Sequence, residues 1–110
     1  MNHQTDALWI LEDLQTWYMA QCDGDWEHTF GIDIGTLDNP GWTVRIDLEH
    51  TILENKGFEE IRDLAPEGDW ISCKVENKKF VGAGGPHQLT KLLEVFLRWA
   101  QSEENWLATP

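Results

Sequence analysis

The densest group of side chains able to do chemistry is Asp23-Gly24-Asp25-Trp26-Glu27-His28, with three carboxylates at alternate positions beside an imidazole. Alternating acids open a calcium loop, whose oxygen ligands converge on a hard cation. That loop also needs Gly at its sixth position and a bidentate Glu at its twelfth, and here those positions hold His28 and Ile34. The calcium loop is therefore excluded, which leaves a hard-metal site of another form on Asp23, Asp25 and Glu27. Acid–base catalysis by Glu27 and His28 requires both on one side of the backbone. On the strand expected here adjacent residues point to opposite faces, so His28 accompanies Phe30 and Ile32 at the edge of the core. Two further readings of the cluster are a solvated connection between elements and a contact with a partner.

Other constellations offer less. Cys22 and His28 imitate a thiol nucleophile and its base, but nothing nearby activates the thiol and no third residue orients the ring. Gly82-Ala83-Gly84-Gly85-Pro86 could cradle an anion at a helix start. It has neither the Lys of a P-loop nor the dinucleotide spacing, and a plain strand-to-helix turn accounts for its glycines. The histidines at 3, 28, 50 and 87 show no ligand spacing. Of seven tryptophans, Trp17, Trp42 and Trp99 fall on core stripes and Trp9 lies towards the flank of one, leaving Trp26, Trp70 and Trp106 as exposed aromatics for a partner, a carbohydrate or a small ligand. No catalytic, metal or cofactor set emerges. The chain reads as a binder.

Charge says what kind. Across 110 residues the net charge is −12, with 20 acidic and 8 basic side chains. Residues 1–44 hold eight of the acids (Asp6, Glu12, Asp13, Asp23, Asp25, Glu27, Asp33, Asp38) and no Lys or Arg at all. Such a chain repels phosphate backbones, which argues against nucleic acid as a direct partner, and attracts basic proteins. The first residues are acidic and carry no secretory n-region, and the apolar run Ala7–Leu11 is too short to cross a bilayer. A cytoplasmic protein with reduced Cys22 and Cys73 is expected, with no membrane contact.

The elements that position these residues follow from periodicity. Thr5 or Asp6 can cap a helix in which Ala7, Ile10, Leu11, Leu14, Trp17 and Tyr18 form the apolar stripe, ending near Gln21 before Gly24. From Trp26 the period becomes two, with His28, Phe30, Ile32 and Ile34 on one side. Asp38-Asn39-Pro40-Gly41 is a turn, after which Trp42, Val44, Ile46 and Leu48 face inward while Thr43, Arg45, Asp47 and Glu49 face outward. Thr51-Ile52-Leu53 extends this strand or adds a short one, Phe58 and Ile61 touch the core, and 65–69 turn. Ile71, Cys73 and Val75 mark a third strand, Asn77-Lys78 a tight turn and 79–82 a fourth. Pro86 opens a last helix carrying Leu89, Leu92, Leu93, Phe96, Trp99 and Ala100. The expected fold is α+β, one domain with its core over residues 6–101. It is a four-stranded antiparallel sheet with N-terminal and C-terminal helices packed on one face, the other face open to solvent.

Several blocks are idiosyncratic: Trp17-Tyr18, Cys22 through His28, Gly31, Thr36 through Trp42, then Asp47-Leu48, Thr51, Leu53, Trp70, Phe80 and Gly82 through Pro86. From about Leu8 to Trp99 the chain resembles the immunity protein 53 family of bacterial polymorphic toxin systems. The resemblance implies a non-enzymatic antitoxin that binds a cognate protein toxin inside the producing cell, and it brings no catalytic or metal residues with it. A toxin with a basic, nuclease-type cleft would suit the acidity. On exposure and sign, the expected contacts are Asp23, Asp25 and Glu27 in the connection and Asp33, Arg45, Asp47 and Glu49 on the open sheet face. Trp26 or Trp70 is the expected anchor. A small metal-dependent hydrolase using Asp23, Asp25, Glu27 and His28 is the rival from another class.

Overall fold

The computed structural model describes residues 3–64 and 69–102, with side chains from Leu8 onward. The turn expected at 65–69 and the aromatic Trp106 fall wholly or largely outside these residues.

Helix α1 (His3–Gln21) starts earlier than its expected caps, so Thr5 and Asp6 lie within its first turn. That turn favours acids as well as caps, because its N–H groups lack intrahelical partners. Ile10 and Leu14 are buried and Trp17 packs against the core, but Leu11, assigned above to the same stripe, is 53% exposed, and Leu8 and Met19 are also exposed. The helix therefore carries apolar side chains on two sides and buries one. Helix α3 (Leu89–Gln101) is strictly two-sided: Leu92, Leu93, Phe96 and Leu97 are buried while Lys91, Arg98 and Gln101 are exposed. It begins three residues later than Pro86 because 85–88 form a turn, closed by the Gln88 N–H donating to the Gly85 carbonyl at 3.0 Å.

Between α1 and the sheet, Trp26–Thr29 form one helical turn, α2, and the first strand starts only at Ile32. The strand expected from Trp26 is thus corrected. Trp26 and Phe30, two steps of a strand period apart twice over, are also i and i+4 on a helix, and both periods fit the same residues.

The strands are β1 (Ile32–Leu37), β2 (Gly41–Asp47), β3 (Ile61–Asp63), β4 (Ile71–Glu76) and β5 (Lys79–Gly84). They form one antiparallel sheet in the order β1-β2-β5-β4-β3, with five strands instead of four. The extra strand is β3, three residues with two charges and no alternation long enough to read. Thr51-Ile52-Leu53 is a turn rather than a strand, with Ile52 out in solvent and Leu53 buried. Asn77 and Lys78 both take positive φ (52° and 61°), the geometry of a two-residue hairpin between β4 and β5.

Val44, Ile46, Cys73, Phe80 and Ile71 point from the sheet into a core closed by Leu92, Phe96, Leu48 and Leu53. The Cys73 thiol is pushed up to about 11 by burial, and both cysteines are free. At the start of β2 the sheet is so tight that a Cβ on Gly41 would lie 2.4 Å from the Gly84 carbonyl oxygen. Helix α3 rests on β2, β4 and β5, and α1 rests mainly on α3. Among the described residues no helix is long and apolar enough to cross a membrane.

Candidate functional site

The acidic connection is built by its own carboxylates. Asp23 Oδ1 accepts the backbone N–H groups of Asp25 (2.9 Å) and Trp26 (3.0 Å). Glu27 reaches back, its Oε1 accepting the N–H of Asp23 (3.0 Å) and its Oε2 that of Gly24 (2.9 Å). Gly24 allows the reversal by adopting a φ of 95°. These donors hold both carboxyls below the usual carboxylate range: Asp23 chiefly through the N–H of Trp26, Glu27 chiefly through its own backbone N–H with help from Gly24. Both acids therefore shape the loop as well as charging it. Asp25, at the start of α2, makes no side-chain cap bond and stands exposed. His28 is exposed on α2, not beside Phe30 and Ile32 on a strand. Among the described residues no three His, Cys, Asp or Glu side chains are grouped to hold a metal ion.

Trp26 is not an exposed anchor. It is 5% exposed, its indole N–H donates to the Glu49 carbonyl at 2.9 Å, and its ring sits among Trp17, Tyr18 and Phe30. It pins the connection to the segment after β2. Trp42 and Trp99 are tied in the same way, their indoles donating to the carbonyls of Pro86 (2.9 Å) and Gly57 (2.7 Å). A depression of about 510 Å³ beside Trp26 is lined by Asp23, Asp25, Thr29, Phe30 and His50, putting exposed carboxylate against aromatic walls.

The remaining expected contacts divide. Asp33 and Arg45 are cross-strand neighbours on the open face and form an exposed ion pair. Asp47 is half-buried and occupied: its Oδ2 accepts the Gly31 N–H at 2.9 Å and its Oδ1 lies 3.6 Å from Lys79 Nζ. Glu49 lies beside Trp26 through its backbone. These residues share the end of the sheet where β1 begins. Trp70 does not join them: it is half-buried at the opposite end, where its carbonyl accepts the Gly85 N–H at 3.1 Å.

Sequence reasoning missed a second surface on the same side of the molecule. Because α1 lies on α3, it stops short of β1 and leaves a groove of about 370 Å³ lined by Leu14, Gln15, Tyr18, Gly31 and Ile32. Leu11, one turn from Leu14 and Gln15, and Ile34, two residues along from Ile32, extend this apolar surface and are 53% and 44% exposed. The available signal was in α1, where Leu8, Leu11 and Met19 stand apart from the line through Ile10, Leu14 and Trp17.

No curated protein and no solved structure matches this chain. The sequence model of immunity protein 53 matches residues 11–101, from the exposed Leu11 of α1 to the last residue of α3. This span covers most of the chain and includes both the acidic connection and the groove, and the chain therefore belongs to the immunity protein 53 family, whose membership implies protection against a cognate toxin.

Proposed function

We propose that this protein neutralises a cognate bacterial toxin by docking a preformed electronegative surface over a basic site of that toxin, acting in the cytoplasm of the cell that makes both and catalysing no reaction. The observation that carries this reading is the one-signed segment 1–44, whose acids belong to α1, the α2 connection, β1 and the turn after it. A basic cleft that handles phosphate, as in a nuclease, is attracted to such a surface over long range, and carboxylates seated in it occupy the potential that substrate phosphates need. Rigid presentation favours this mode. Asp23 and Glu27 are held by backbone N–H groups and Trp26 is locked beneath them, so little ordering entropy is spent when a partner arrives.

The test is association kinetics with a catalytically inactive form of the toxin encoded beside this gene. Charge reversal at the exposed Glu12, Asp25 and Asp38 leaves the loop-forming carboxylates intact. We expect it to slow association about tenfold at low salt and to flatten the dependence of rate on ionic strength. An unchanged salt slope removes steering, and absence of any complex removes the reading as a whole.

A further inference from the structure

We infer that the free edge of β1 is the docking site itself, and that the toxin adds an extended, cationic and apolar segment there as a sixth strand, its apolar side chains filling the groove beside α1. This deepens the function proposed above and rests on it.

The backbone supplies the first argument. β1 ends the sheet and, among the described residues, pairs with β2 alone. The Asp47 N–H donates to the Gly31 carbonyl at 3.0 Å, which fixes the alternation of the ladder. Asp33 and Gly35 exchange their hydrogen bonds with Arg45 and Thr43, while the N–H and C=O groups of Ile32, Ile34 and Thr36 point away from β2. An edge of this kind is a template for another chain.

The side chains supply the second. Ile32, Ile34 and Thr36 lie on the helix side of the sheet, opposite Ile46, Val44 and Trp42. Val44 and Ile46 are fully covered there, yet Ile34 is 44% exposed, because the helix layer ends before β1. A strand placed one ladder spacing beyond β1 would set every second side chain over the groove lined by Leu14, Tyr18 and Ile32.

Charge selects the occupant. Every element bounding the groove comes from the segment with no Lys or Arg, and the exposed Glu12 and Asp38 lie on that segment. A second copy of this chain would bring the same acids edge to edge, which repulsion opposes; a cationic segment meets its complement. The toxin of the proposed function is the partner with that chemistry.

The experiment measures affinity of the full chain for the inactive toxin by calorimetry. Thr36→Pro deletes one outward N–H and leaves the β1–β2 hydrogen bonds untouched, a placement that edge strands accept. Ile34→Arg keeps the backbone and puts a like charge against a cationic segment. Arg62→Glu, on the far edge of the sheet, is the control. Thermal melts confirm that each variant is folded. We expect both β1 variants to lose at least about tenfold in affinity, with the control within about twofold of the wild type. Folded β1 variants that bind as the wild type does overturn the inference and leave the proposed function standing; a wild type that binds no toxin removes both. A wild-type dimer that Thr36→Pro converts to monomer gives the edge to a second copy. Chemical-shift changes confined to β1 on deleting residues 103–110 give it to the chain's own end. Either result overturns the inference.

Discussion

The sheet has two edges, and they are finished differently. β3 offers three residues, of which Arg62 and Asp63 are exposed and charged, with Glu59 and Glu60 just ahead. Behind it the molecule is densely fastened: Phe58 packs edge-on against Phe80 and Trp99, and the Lys56 ammonium caps α3 by donating to the carbonyls of Trp99 (2.7 Å) and Ser102 (2.6 Å). β1 offers six residues with one charge, no Pro and no Lys, and its helix side is partly bare. Brevity and charge protect an edge from stray pairing, and one edge here has both. The contrast teaches that, among the described residues, a long edge with little charge belongs to β1 alone.

The largest change should come from the fastening behind β1. Trp26→Ala removes a buried indole and its bond to Glu49, and should cost about 3–5 kcal/mol in urea denaturation. Trp26→Phe keeps most of the packing and should cost only about 1 kcal/mol, the share of the hydrogen bond. Equal losses would mean that the ring does not pin the connection. Next in size, Lys56→Ala should cost about 1.5–3 kcal/mol by removing the charge-assisted hydrogen bonds to the Trp99 and Ser102 carbonyls. Amide hydrogen exchange should then quicken at the C-terminal end of α3 and in β3 while β1 is unaffected. A matching response in β1 would erase the distinction between the two edges.

The smallest effect is the most local. The Asp23 and Glu27 carboxyls sit below their ordinary values in the folded protein, so their contribution is complete above the ordinary carboxylate range of about 4 and fades as pH falls through the lowered values. Acid should therefore release the Gly24 and Trp26 amides before the sheet unfolds, an order that amide exchange or Trp fluorescence can read. Glu27→Gln should shift that release, whereas a β3 carboxylate change such as Asp63→Asn should not.

Much of this was legible in the chain. The alternation of Val44, Ile46 and Leu48 and the stripe of Leu92, Leu93 and Phe96 each admit one period, so the central hairpin and α3 follow from sequence. Residues 26–32 admit two periods, and the structure takes the helical one because the Asp23 carboxylate satisfies the N–H groups of Asp25 and Trp26 at the start of the turn while Glu27 holds the loop before it. Such side-chain capping depends on loop geometry that composition does not carry. The acidic connection is legible as a charged segment, but the place of Trp26 is not, because a large ring with one N–H suits a core and an interface equally well. The groove beside β1 stayed hidden for a further reason: it exists because α1 lies on α3 and not on β1, a packing choice between two apolar faces that neither face announces.

Pairing on the sheet and its turns has an effect at a distance. Arg45 with Asp33, Lys74 with Glu76, Lys78 with Glu54 and Lys79 with Asp47 each cancel within an ion pair. Beyond a Debye length of about 8 Å such pairs contribute little, and the first 44 residues, which hold acids and no base, keep most of their negative charge. That segment is the stretch of chain whose field is least cancelled by neighbouring bases. A cationic body at a distance is drawn to a flank where no base of its own sign stands in sequence to repel it.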